Sequence, residues 1–181
     1  MSFKTLSSEV IHQNPWSVYK HDTYELTDGS AGDYYYLETP GNAMVVPVLD
    51  DGRLLLVVQH RYLYSKQSVE FPCGGMKIEE SPQITAEREL LEETGYRSHN
   101  LIKAGVFQDS NGLLKDGSHL FIGNELEKIS DPLNNSHENV EVIIRRPDEF
   151  EAMIKSGEIW DGQTLAAWAM VREYVNKIVS H

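Results

Sequence analysis

Residues 82–94 constrain the fold of this chain more than any other segment. Ser81 offers a side-chain acceptor at an N-cap position, Pro82 suits the first helical position, and Gly95 suits the position just past the last turn. The helix bracketed in this way has one acidic side. Glu89, Glu92 and Glu93 stand at i, i+3 and i+4, so three carboxylates share an arc of roughly 100°. Ile84 and Leu91 are expected on the opposite side, toward a core, with Leu90 nearer the boundary. Like charges at this spacing weaken an isolated helix. Divalent cations would remove that penalty, because a hard ion such as Mg2+ takes oxygen ligands and lets substrate phosphates complete its shell. Arg88, one turn before Glu92, can pair with that carboxylate and orient it.

A solvated acidic face is the alternative reading of three glutamates. The preceding loop tips the balance. Pro72, Gly74 and Gly75 are expected to form a tight, exposed backbone, and Glu80 precedes the N-cap, where a carboxylate suits the helix dipole. A loop carbonyl can then face the same cations as the helix.

Around this segment the chain reads as a mixture of strands and helices. Strands are expected at 9–12, 17–26 and 34–38, punctuated by Gly29, Gly32 and Pro40. Two buried strands, 43–49 and 53–60, flank the turn signal Asp50-Asp51-Gly52. Further strands are expected at 101–107, 118–123 and 140–145, and helices at 148–155 and 164–179. The last carries Leu165, Trp168, Val175 and Ile178 on one stripe. Without regular alternation, these elements imply an α+β architecture, a mixed sheet with helices packed on it, rather than a doubly wound parallel fold. The expected organisation is an N-terminal β segment over 1–42 and a catalytic domain over 43–181.

A net charge of −12 argues against DNA or RNA as a main partner. It admits a small anionic substrate if bound cations reverse the local sign. The longest apolar runs are too short to span a bilayer, and the first residues have no apolar signal core, so no membrane partner is expected. The single cysteine, Cys73, permits no internal disulfide, and a reducing cytoplasm is the expected setting. The seven histidines show no metal-like pair.

The stretch from Gly74 to Tyr96 resembles the Nudix box, G-x5-E-x7-R-E-[aliphatic]-x-E-E-x-G-[aliphatic]. Gly74, Glu80, Arg88, Glu89, Leu90, Glu92, Glu93 and Gly95 match at those spacings, and Tyr96 replaces the last aliphatic residue. The resemblance implies a Nudix-type α/β/α sandwich and Mg2+ (or Mn2+) held by Glu89, Glu92, Glu93 and the backbone carbonyl of Cys73. It also implies hydrolysis of a diphosphate bond.

Outside the box, the chain resembles the branch that acts on ADP-ribose and other nucleoside diphosphate sugars. Gln59-His60-Arg61-Tyr62 ahead of Val69-Glu70-Phe71-Pro72 carries that likeness. So do His137-Glu138-Asn139-Val140-Glu141-Val142, the closing segment from Gly157 to Ala167, and Asn14-Pro15-Trp16. ADP-ribose specialists of the branch usually carry prolines in the loop after the box, and Phe107-Gln108-Asp109-Ser110-Asn111-Gly112 lacks them, which weakens strict ADP-ribose specificity and leaves room for hexose-linked nucleotides. Arg61 is expected to bind phosphate or ribose, the alternative being a surface ion pair. Trp16 is expected either to stack on a base or to lie in the core. Glu138 is the first candidate for a base or extra ligand and Glu141 the second; Glu92 and Arg88 complete the catalytic set. The resemblance further implies a homodimer with a shared site. A nucleoside triphosphate pyrophosphohydrolase and a non-catalytic nucleotide sensor are the alternatives.

Overall fold

The structure, a computed structural model, describes residues 3–133 and 140–179. The chain begins with three antiparallel strands, β1 (Lys4–Gln13), β2 (Val18–Glu25) and β3 (Ala31–Glu38). Next come β4 (Asn42–Pro47), β5 (Leu54–Arg61), a short 3-10 turn at Tyr62–Tyr64, β6 (Lys66–Glu70) and β7 (Cys73–Gly75). Helix α1 (Pro82–Thr94) is followed by β8 (Tyr96–Phe107), β9 (Leu114–Lys115), β10 (Ser118–Lys128) and β11 (Glu141–Arg145). Helices α2 (Pro147–Ser156) and α3 (Gly162–Val179) end the described chain.

The strands make three sheets, ordered β1-β2-β3-β9, β7-β4-β10-β8 and β11-β5-β6. The second is mixed: β4 runs parallel to β10, while β7 and β8 are antiparallel to their neighbours. Alternation along its strands feeds two cores. Ala43, Val45 and Phe121 point to one face, where Ala86 and Leu90 of α1 cover them. Met44, Val46, Leu120 and Ile122 point to the other. There they meet Leu54, Leu56 and Phe71 of the third sheet's region, Phe150 and Met153 of α2, and Ala167, Trp168, Val171 and Val175 of α3. This is the expected α/β/α sandwich with an additional N-terminal sheet. Among the described residues, no helix is long and apolar enough to cross a membrane.

The caps of α1 match the sequence reading: the Ser81 side chain accepts from the Ile84 N–H, and Gly95 takes a left-handed conformation at φ 73°. Its buried face differs. Leu90 is fully buried with Thr85, Ala86 and Thr94, whereas Ile84 is 55% exposed. At about 100° per residue, positions 86, 90 and 94 center one stripe, and 84 and 91 lie behind it. Small Ala86 lets the helix approach β4 closely, and this outweighs the bulk of Ile84. Consequently Glu93 and, further round, Glu89 border the buried face, while Glu92 points away from it.

The backbone at 72–75 differs as well. Pro72 is buried and Gly74 lies in a strand, because Cys73–Gly75 pairs with Asn42–Met44. Strand β8 also begins five residues earlier than expected from Leu101. Its polar first half pairs with the equally polar end of β10, a ribbon with little apolar alternation to reveal it.

Candidate active site

The junction of β7 and α1 builds the site. Glu93 projects from the buried side of the helix, and the Cys73 N–H donates to its Oε2 at 2.9 Å. Gly74 makes room for Glu89: a Cβ at that position would stand 2.0 Å from the Glu89 carboxylate. Burial, reinforced by the charges of Glu89 and Glu70, pushes the Glu93 pKa up to about 8, against the opposing pull of the Cys73 N–H and Arg61. A cation beside these groups would relieve that penalty.

Arg88 organises the helix surface. Its guanidinium donates to both Glu80 oxygens at 3.0 Å, to Glu89 Oε1 at 2.5 Å, to Glu92 Oε2 at 3.0 Å and to the Gly75 carbonyl at 3.2 Å. Glu80 also accepts from the Thr85 hydroxyl at 2.8 Å. The Arg88 and Thr85 bonds hold the Glu80 carboxyl down at about 2. Glu80 is thus a clamp between the loop and the helix, a role that its position before the N-cap does not disclose.

Glu70, 1% exposed at the end of β6, accepts from Arg61 through two bonds and from Gln59 Nε2 at 3.1 Å. The Arg61 side chain is therefore held by Glu70 while remaining 43% exposed. Trp16 is 77% exposed in the β1–β2 turn, where the Asn14 side chain accepts from two backbone N–H groups, so the core alternative is removed. Glu141 opens β11 opposite Val58 and is exposed. Glu138, with its neighbours 134–139, lies outside the described residues.

A polar network missed by the sequence reading adjoins Cys73. Asp109 accepts from Ser118 Oγ at 2.6 Å, Gln163 Nε2 at 2.7 Å and Asn42 Nδ2 at 3.3 Å. The Cys73 thiol lies 3.5 Å from Gln163 Oε1 and 3.6 Å from Asn42 Oδ1, and burial pushes its pKa up. A cavity of about 220 Å3 opens beside this network, lined by Phe107, Gln108, Asp109, Asp161 and Gln163.

Among the described residues, no three Asp, Glu, His or Cys side chains close on one point as a ready metal cage. A cation here would draw Glu89, Glu92 and Glu93 together, or share them with backbone, water and phosphate oxygens. Mg2+ commonly binds in the second way. The all-oxygen donor set and the unfavourable burial of Glu93 both fit such an ion.

Comparison with known proteins gives two family matches. The NUDIX domain matches residues 39–168, and the nucleoside diphosphate sugar hydrolase N-terminal domain matches residues 3–37. An ADP-ribose pyrophosphatase of Bacillus subtilis (strain 168) is 31% identical over 165 residues, covering 91% of this chain and 89% of the relative. A GDP-mannose pyrophosphatase of Yersinia enterocolitica is 25% identical over 177 residues, covering 91% and 92%. A crystal structure of an ADP compounds hydrolase superposes with a TM-score of 0.84 at 18% identity, covering 98% of this chain and 96% of the other, a likeness of fold.

Proposed function

The chain belongs to the Nudix family, and from that premise we propose that it hydrolyses the diphosphate bond of nucleoside diphosphate sugars. ADP-ribose and hexose-linked nucleotides are the proposed substrates, and a nucleoside monophosphate and a sugar phosphate the products. The observation that carries the chemistry is Glu93, a carboxylate buried beside Glu89 and Glu70. The N-terminal domain match and the two pyrophosphatase relatives support the substrate class.

Glu89, Glu92, Glu93 and the Cys73 carbonyl would hold Mg2+, or Mn2+ in its place. The bound ion supplies charge neutralisation of the diphosphate and a lowered pKa for the attacking water. Arg88 keeps Glu92 in place and, through Glu80, fixes the loop to the helix. The exposed part of Arg61 meets phosphate or ribose, with Glu70 setting its direction. Trp16 offers its face to a base. Glu138 accepts the proton of the attacking water, with Glu141 the second choice. Assembly as a homodimer and a cytoplasmic setting, suited to the single thiol, belong to the same proposal.

A coupled assay tests it. ADP-ribose, GDP-mannose, ADP-glucose and nucleoside triphosphates are incubated with Mg2+, and a phosphatase reveals the monoester products. Turnover of nucleotide sugars with kcat/KM above that of every triphosphate is expected, as is its loss in excess chelator. A triphosphate as the best substrate would overturn the substrate class, and full turnover in chelator would overturn the metal chemistry.

A further inference from the structure

Three elements far apart in the chain converge on one side chain. Asp109 lies in the loop after β8, Gln163 in the first turn of α3 and Asn42 at the start of β4, and all three meet around Cys73. We infer that Asp109, acting through Gln163 and Asn42, is a positioning residue that fixes Cys73 and with it the cation-binding end of β7.

The argument is one of hydrogen-bond polarity. An ionised carboxylate only accepts, so Asp109 makes both amides turn their NH2 groups toward it. Their carbonyl oxygens must then face away, and both face the Cys73 thiol. The thiol has one proton to share between two acceptors, so the side chain is held from two directions. Ser118 takes a further acceptor site on Asp109 at 2.6 Å, which fixes the carboxylate itself. On the backbone side, the Cys73 N–H donates to Glu93. Cys73 is thus gripped at its side chain by the clasp and at its N–H by the Glu93 carboxylate. A group that orients a ligand-bearing residue in this way controls metal affinity, typically by 10–100-fold.

The inference rests on the proposed cation site, and its test separates the two. Cys73 is the chain's single cysteine, so alkylation by iodoacetamide, followed by mass spectrometry of the whole protein, reports on that residue alone. Asp109→Leu and Gln163→Leu nearly preserve size and break the clasp, the first by leaving both amide NH2 groups without an acceptor. Both should react at least about tenfold faster than wild type. Their Mn2+ titration midpoint, read without substrate from the paramagnetic resonance of free Mn2+, should rise by about tenfold or more. Cys73→Ser keeps a donor for the two amide oxygens and should bind Mn2+ within about threefold of wild type, whereas Cys73→Ala should lose about tenfold. Wild-type midpoints in Asp109→Leu and Gln163→Leu would overturn the inference, as would equal Mn2+ affinity in the two Cys73 variants. If wild type itself binds no Mn2+, the cation site fails, and the alkylation rates alone decide whether the clasp holds Cys73.

Discussion

Glu93 stands where a carboxylate is least comfortable, and two predictions follow from that placement. Its pKa of about 8 lies above the ordinary value of 4.5, so the folded, metal-free protein gains from the proton. That gain is complete below about pH 4.5 and is lost as pH rises through about 8. The melting temperature of metal-free wild type should therefore fall across this window more than that of Glu93→Gln. Mg2+ should recover the loss in wild type but not in the variant, and parallel pH profiles for the two proteins would refute this origin. Glu93→Gln should also cut turnover by at least about 10²-fold, as expected when one preorganised electrostatic partner is removed. Near-normal melting at about pH 6 would show that the fold survives. At this scale the sequence is eloquent about residue identity and silent about burial. The box spacing marks Glu89, Glu92 and Glu93 alike, and only packing against β7 separates Glu93 from the half-buried Glu92. Asp109 and Gln163 had no local signal, because their partners lie 9 to 90 positions away in the chain.

Helix α1 shows how much of an element can be read in advance. Its ends follow from Ser81, Pro82 and Gly95, whose backbone preferences are local. Its buried face does not follow from apolar bulk, because close approach to β4 selects Ala86 and Leu90 over Ile84. Leu90→Ala should destabilise the protein by about 2–5 kcal/mol, and Ile84→Ala by no more than about 0.5 kcal/mol; urea unfolding measures both. Equal losses would restore the opposite orientation of the helix. Strand β7 poses the complementary problem. Three residues with two glycines carry no strand periodicity, yet Gly74 is needed there because the Glu89 carboxylate occupies the space of a Cβ. Gly74→Ala should displace the flexible Glu89 side chain at a modest cost of about 1–2 kcal/mol. It should also raise the Mg2+ midpoint in turnover assays by about tenfold. A collapsed fold with unchanged metal response in the surviving fraction would contradict this division.

The two-sided sandwich was legible through the Nudix resemblance of residues 74–96, and the continuous apolar run of β4 agrees with it, because both faces of that strand are covered. The N-terminal sheet lacks such a signature: none of its strands contains a fully buried residue, and β1 is exposed along its entire length. Phe3, Leu6, Val10 and Ile11 stand 47–58% exposed there, next to the exposed Trp16. A ten-residue edge strand with this much open apolar surface is the kind of surface that chains cover by pairing. A second copy of the chain is the proposed cover. It would explain why so many aromatic residues cluster ahead of the site without forming a core within one subunit, and it would bring the neighbouring Trp16 to an interface. Light scattering at micromolar concentration should therefore give about twice the 20.6 kDa chain mass. Val10→Glu, which places a charge on the exposed strand, should shift the protein toward monomer while leaving the α/β/α sandwich folded. If the partner helps to build the site, KM for the nucleotide sugar should rise in that variant more than kcat falls. A full-length wild type that is monomeric and fully active would show that the open sheet has another purpose.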